Sequence, residues 1–188
     1  YLQAPARDPS AAWLLPIANE YRQSFDLREL RWNLQEKAGR GGFATLLGGQ
    51  IDLKQRILTC MAVGDTCLYI RHQGEIVPFP ARFRDTTAFG DHPFLIATNP
   101  TYNDNIMERR ESMKARLPKG ETIMYAMTDS LARWFAEGVG AGDAPWRRMD
   151  RVVGGGGREF SRFIDAERQR GTLEDDDSTM LRIRILLK

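Results

Sequence analysis

Two places in this 188-residue chain set acid at the mouth of an apolar, β-prone run. Asp129 directly follows "TIMYAMT", and Asp175, Asp176 and Asp177 directly precede "STMLRIRI". Carboxylates held at strand ends on a rigid sheet can converge on a hard divalent cation, because Mg²⁺ and Mn²⁺ prefer oxygen ligands. Two such ions about 3.5–4 Å apart activate water and clamp a phosphoryl group for in-line attack. Each place also has a plainer reading. Asp129, beside Ser130, could cap the start of a helix over "LARWF". Three consecutive aspartates also make a solvated turn, or a gatekeeper that keeps an apolar strand from aggregating.

Other reactive side chains offer less. His72 sits beside a hairpin turn and His92 in a loop, and neither has a serine or cysteine partner that spacing can place, so a nucleophilic triad is disfavoured. Cys67 lies within an apolar strand and reads as a small core residue. Gly154 to Gly157 could form a phosphate nest, but the run lacks the lysine and strand of a P-loop and reads as a flexible loop or an engineered joint. Arg147, Arg148 and Arg151, like Arg109, Arg110 and Lys114, are interleaved with acid and read as solvated faces.

The elements that must position these residues follow from periodicity. "DPSAAWLLPIANEYRQSF" is helical, with Ser10 as N-cap and a kink expected at Pro16. "LRELRWNLQEKAG" is a second helix, ended by Gly39, Gly41 and Gly42. "GFATLLGG" and "RILTCMAV" pattern as a hairpin joined through "QIDLKQ". "MAVGDTCLYIRHQGEIVPFP" continues it as a meander, turning at Gly64–Asp65 and again at Gln73–Gly74. "FGDHPFLIATNPTYND" holds a short strand, and "NIMERRESMKARLPKG" reads as a charged, exposed stretch. The strand "TIMYAMT" and the helix "SLARWFAEG" follow, then a Gly-rich loop, the helix "REFSRFIDAERQRG", an acidic turn and a final strand. Strands joined by tight turns and flanked by helices imply an α+β domain rather than a parallel doubly wound one.

Composition narrows the class. A net charge of +2 and a pI near 8.7 make no demand for a nucleic-acid or anionic-membrane partner. No aromatic–basic strand face suggests nucleic-acid binding. No apolar run approaches the roughly 20 residues of a membrane span, and no signal-peptide pattern opens the chain. Cys60 and Cys67 match no metal or disulfide framework, which suits reduced thiols in the cytoplasm.

Taken in order, the motifs resemble those of the metal-dependent protein phosphatases, the PPM or type 2C family, in a divergent bacterial-type form. "AVGDTCLYIRHQGEI" is similar to that family's "VGDSR" strand–turn–strand, "YAMTDSLARWF" to its "ASDGLWD" segment, and "LEDDDSTMLRIRI" to its closing "DNxT" and apolar strand. "GRGGFATLLGG" resembles the early "GTT" strand, so the likeness runs from about Gly41 to the C-terminus. The resemblance implies a layered α/β/β/α sandwich of two antiparallel sheets flanked by helices, holding two Mn²⁺ or Mg²⁺ ions. It implies that Asp129 and Asp176 are metal ligands, although the acidic run admits a register one residue away. Asp65, in "GDT", is expected to order its turn.

The departures are specific. Ser130 stands where the family often has Gly, and "GDTC" lacks the Arg of "GDSR". The family's early metal-bridging Asp-Gly pair and its phosphate-gripping arginine have no match; before Gly41 the only aspartates are Asp8 and Asp26. The chain opens on Tyr1, and residues 1–188 are expected to be a single PPM-type domain lacking its N-terminal strands. The resemblance thus implies a protein serine/threonine phosphatase that hydrolyses phosphoserine or phosphothreonine with a metal-activated water. Its partners would be a phosphoprotein, a Ser/Thr kinase or that kinase's targets, with no nucleic acid and no membrane. The alternative is a catalytically inactive pseudophosphatase serving as a protein-binding scaffold.

Overall fold

The structure, a computed structural model, describes residues 11–24, 26–90 and 92–188, so Ser10 falls outside the described part. The chain divides into two compact units, one built from residues up to Gly64 with His92–Arg116, the other from Asp65–Asp91 with Leu117–Lys188.

The first unit begins with helices α1 (Ala11–Gln23), which continues through Pro16, and α2 (Trp32–Arg40), which stops at Gly41. Its main sheet is antiparallel, in the order β2 (Leu46–Asp52), β3 (Ile57–Val63), β7 (Glu111–Arg116). Strands β1 (Phe43–Ala44) and β6 (Ile96–Ala97) pair separately, and α3 (Ile106–Arg109) precedes β7. The β2–β3 hairpin is the one expected from periodicity. Val63, Ile96 and Ile106 form a small core, packed by Leu46 and Phe94.

Two expectations are corrected here. "ESMKAR" is a strand, with Met113 and Ala115 turned partly inward and Ser112, Lys114 and Arg116 exposed. That is a period of two, masked by the density of charge. The meander does not continue through Gly64–Asp65. Both edges of β3 are taken, by β2 and β7, so the next strand has no ladder position beside it and joins a different sheet. Gly64 is required at this exit: its φ is +94°, and a Cβ there would sit 2.6 Å from the Thr45 methyl.

The second unit carries a four-stranded antiparallel sheet in the order β5 (Glu75–Phe79), β4 (Cys67–His72), β8 (Gly120–Met127), β9 (Met180–Leu187). β4 and β5 turn at Gln73–Gly74, both with positive φ, as a two-residue hairpin loop requires. Helices α4 (Asp129–Gly140), α5 (Pro145–Gly154) and α6 (Gly157–Gln169) pack on one face of this sheet. Tyr69 and Tyr125 are directly opposed across β4 and β8, and both rings meet Phe135 of α4, with centroids 4.7 and 5.6 Å apart. Leu131, Met149 and Ile164 add one buried side chain from each helix. The Gly154–Gly157 run is a tight turn between two helices rather than a flexible loop, with the turn at Gly156 (φ +78°). Helices and purely antiparallel strands make the chain α+β, as its sequence implies. Among the described residues no helix is long and apolar enough to cross a membrane.

Candidate functional site

The acids gather because of the strand order in the second unit. Cys67 of β4 pairs with Met127 of β8, which pairs with Met180 of β9, so these three strands share one end. Asp65 lies just before β4, Asp129 just after β8, and Asp176 just before β9. Asp129 and the acidic run, 46 residues and more apart in sequence, therefore meet at one edge of the sheet.

Thr128 fastens that edge. Its N–H donates to the Thr179 carbonyl at 3.2 Å, extending the β8–β9 ladder by one pair. Its hydroxyl donates to the Asp177 carbonyl at 3.0 Å and accepts from the Thr179 N–H at 3.0 Å. Arg168 of α6 grips the same loop from outside. Its guanidinium donates to the carbonyls of Glu174 and Asp176 and pairs with the Asp175 carboxylate at 3.5 Å. The Asp176 carboxylate accepts the Asp177 N–H at 2.7 Å, which sets the turn. Ser130 is buried, and its hydroxyl lies 3.5 Å from that of Ser178, so the extra side chain fits.

Asp129 is the first residue of α4, one past the N-cap position, and no side-chain cap hydrogen bond is made. The capping reading of Asp129 is thereby corrected: the carboxylate acts on the helix through its charge in the first turn, where it complements the dipole.

Asp65 is the buried member, only 8% exposed. Burial raises its pKa, the Asp129 carboxylate raises it further, and Asp176 adds a smaller push in the same direction. Arg82, in a short 3-10 turn after β5, opposes these effects. The three carboxylates thus act on one another. Their placement differs from a finished cage: among the described residues no group of three or more His, Cys, Asp or Glu side chains could hold a metal ion. Their chemistry nevertheless suits a hard divalent cation. Every donor is a carboxylate oxygen, and the excess negative charge that opposes ionisation of Asp65 is what such an ion would offset.

The remaining candidates stand elsewhere. His72 is at the far end of β4, with Nδ1 2.9 Å from the Glu121 carbonyl, and His92 is exposed in the first unit. Cys67 is fully buried, and burial pushes its thiol well above the usual range, so it is a core residue. Cys60 is pushed up to about 11 by burial, and both thiols are free. Arg147 and Arg148 belong to α5, where Arg148 and Arg170 pair with the buried Glu167. Sequence reasoning missed Thr128, Arg168 and Arg82, and set Asp65 aside as a turn former. Thr128 was visible as a β-branched hydroxyl at a strand exit. Arg82 and Arg168 carry no signal without the register that brings their elements to this edge.

No protein-family model matches the chain, and no curated protein matches its sequence. Among solved structures, the chain is similar to the phosphatase domain of the cell fate determinant SpoIIE from Bacillus subtilis, at 17% identity and a TM-score of 0.43. That match covers 93% of this chain and 73% of the other. A second structure of that domain, presoaked with Mn, aligns at 16% identity and a TM-score of 0.39, covering 96% and 77%. The photosystem II phosphatase PBCP aligns at 16% identity and a TM-score of 0.37, over 53% of this chain and 39% of that one.

Proposed function

We propose that this chain is a divergent metal-dependent protein phosphatase domain acting on phosphoserine or phosphothreonine in a protein. The observation that carries the reading is the convergence of Asp65, Asp129 and Asp176 at one sheet edge, on the motifs that resemble the family. Asp129 and Asp176 would hold the cation, with Asp65 adding negative charge behind them. A bound Mn²⁺ or Mg²⁺ pair would supply Lewis-acid neutralisation of phosphoryl charge and activation of water. The chain's own part is positional: Thr128 locks β8 to the acidic loop, and Arg168 keeps that loop from fraying. A phosphoprotein is the proposed substrate, a Ser/Thr kinase or its targets the proposed partners, and the cytoplasm the proposed compartment.

The test is Mn²⁺-dependent turnover of a phosphopeptide, in which Asp129→Asn should lower kcat/KM by about a hundredfold or more, the loss of a charged ligand from a hydrolytic site. Unchanged activity in that variant removes the metal assignment. The shortage of ligands among the described residues favours a second reading, a pseudophosphatase scaffold. Calorimetric titration with Mn²⁺ separates the two, since a scaffold shows no tight site.

A further inference from the structure

Across the second unit's sheet the strands run β5, β4, β8, β9, and three of them present an acid at one end. The fourth presents a cation. Phe79 of β5 pairs with Leu68 of β4, so the chain leaving β5 emerges beside Asp65. It turns at once into the 3-10 segment Ala81–Arg84. The order along the edge is therefore Arg82, Asp65, Asp129, Asp176. We propose that Arg82 is the residue that grips the phosphoryl oxygens of the substrate at this edge.

The position is a built one. The Arg82 guanidinium stacks 4.4 Å above the Phe83 ring, and that ring is fully buried. The Phe83 carbonyl accepts from the Tyr69 hydroxyl at 3.3 Å, which ties the turn to the core of the sheet. Charge argues the same way. A phosphate dianion approaching three carboxylates needs a cation at the same edge, and Arg82 is close enough for its charge to act on Asp65. The planar guanidinium presents paired N–H donors that match phosphate geometry. The inference takes its ligand from the phosphatase reading.

Inorganic phosphate and a phosphopeptide are the probes, used in Mn²⁺-containing buffer on wild type, Arg82→Ala, Arg82→Lys and the neighbouring control Arg84→Ala. Phosphate dissociation and phosphopeptide KM should both rise about tenfold or more in Arg82→Ala, the loss of one charge-assisted contact. Arg82→Lys should recover part of the affinity, and Arg84→Ala should leave it nearly unchanged. Circular dichroism and thermal melts of each variant separate lost binding from lost folding. Phosphate affinity that is absent from wild type, or equal in Arg82→Ala, overturns the inference. Arg82-dependent phosphate binding without turnover would sink the phosphatase reading and leave the anion site standing. Turnover that ignores Arg82 would do the reverse.

Discussion

Asp65 shows how a single side chain can be a cost in the metal-free protein. Its folded-state pKa lies above the ordinary 3.8, first because it is buried and then because Asp129 is near. An acid whose pKa is raised on folding binds more protons in the native state, so its contribution to stability falls as pH rises through that range. Asp65→Asn should therefore melt higher than wild type at pH 7 in metal-free buffer. The difference should vanish below the unfolded-state pKa, and Mn²⁺ should narrow it from above. Thermal melts across pH check this, and a lower melting temperature at pH 7 would show that the carboxylate is needed to hold its turn. Asp129 sits in the first turn of α4, where a negative charge favours the helix.

At the scale of elements, the β8–β9 pair decides whether the site exists. The ladder runs for the full length of both strands and ends on Thr128, whose hydroxyl and N–H close the last pair. Thr128→Val keeps the shape and removes the hydroxyl's two hydrogen bonds. A loss of about 1–2 kcal/mol in urea unfolding is expected. Because the acidic loop loses its tie to Asp129, Mn²⁺ affinity should fall in the same variant. Unaltered Mn²⁺ binding would show that β9 alone places the loop. The helices form a separate device. Glu167 of α6 is almost fully buried and takes hydrogen bonds from Trp134 of α4 and from Thr172, with Arg148 of α5 and Arg170 beside it.

For the whole molecule this buried carboxylate governs the acid limb of stability. Burial opposes its ionisation, but the hydrogen bonds and the two arginines outweigh that and hold its pKa below the ordinary 4.5. A depressed carboxylate contributes stability that is present above its unfolded pKa and lost as pH falls through the folded one. Urea midpoints should accordingly drop on the acid side, and Glu167→Gln should flatten that drop while costing about 1–2 kcal/mol at pH 7. Asp65 works in the opposite direction over a neighbouring range, so the double variant isolates what the other carboxylates contribute. A net charge of only +2 keeps the long-range field weak, and the local pairs dominate these profiles.

What the sequence determined by itself was local. Periods of two and 3.6, together with glycine turns, marked most of the strands, the helix after Asp129, the hairpin joined through "QIDLKQ" and the one at Gln73–Gly74, because these signals depend only on neighbours in the chain. Asp129 and the run of Asp175, Asp176 and Asp177 were legible for the same reason, as acids at the ends of apolar runs, and the choice of Asp176 within the run came from the family resemblance. Tertiary structure alone decided the rest. That β4 leaves β3 for another sheet follows from which strand edges are already occupied, and "ESMKAR" is a strand because β3 offers it a partner. Bringing Asp65, Arg82 and Arg168 to the edge that holds Asp129 required the order β5-β4-β8-β9, a set of long-range pairings that no local pattern encodes.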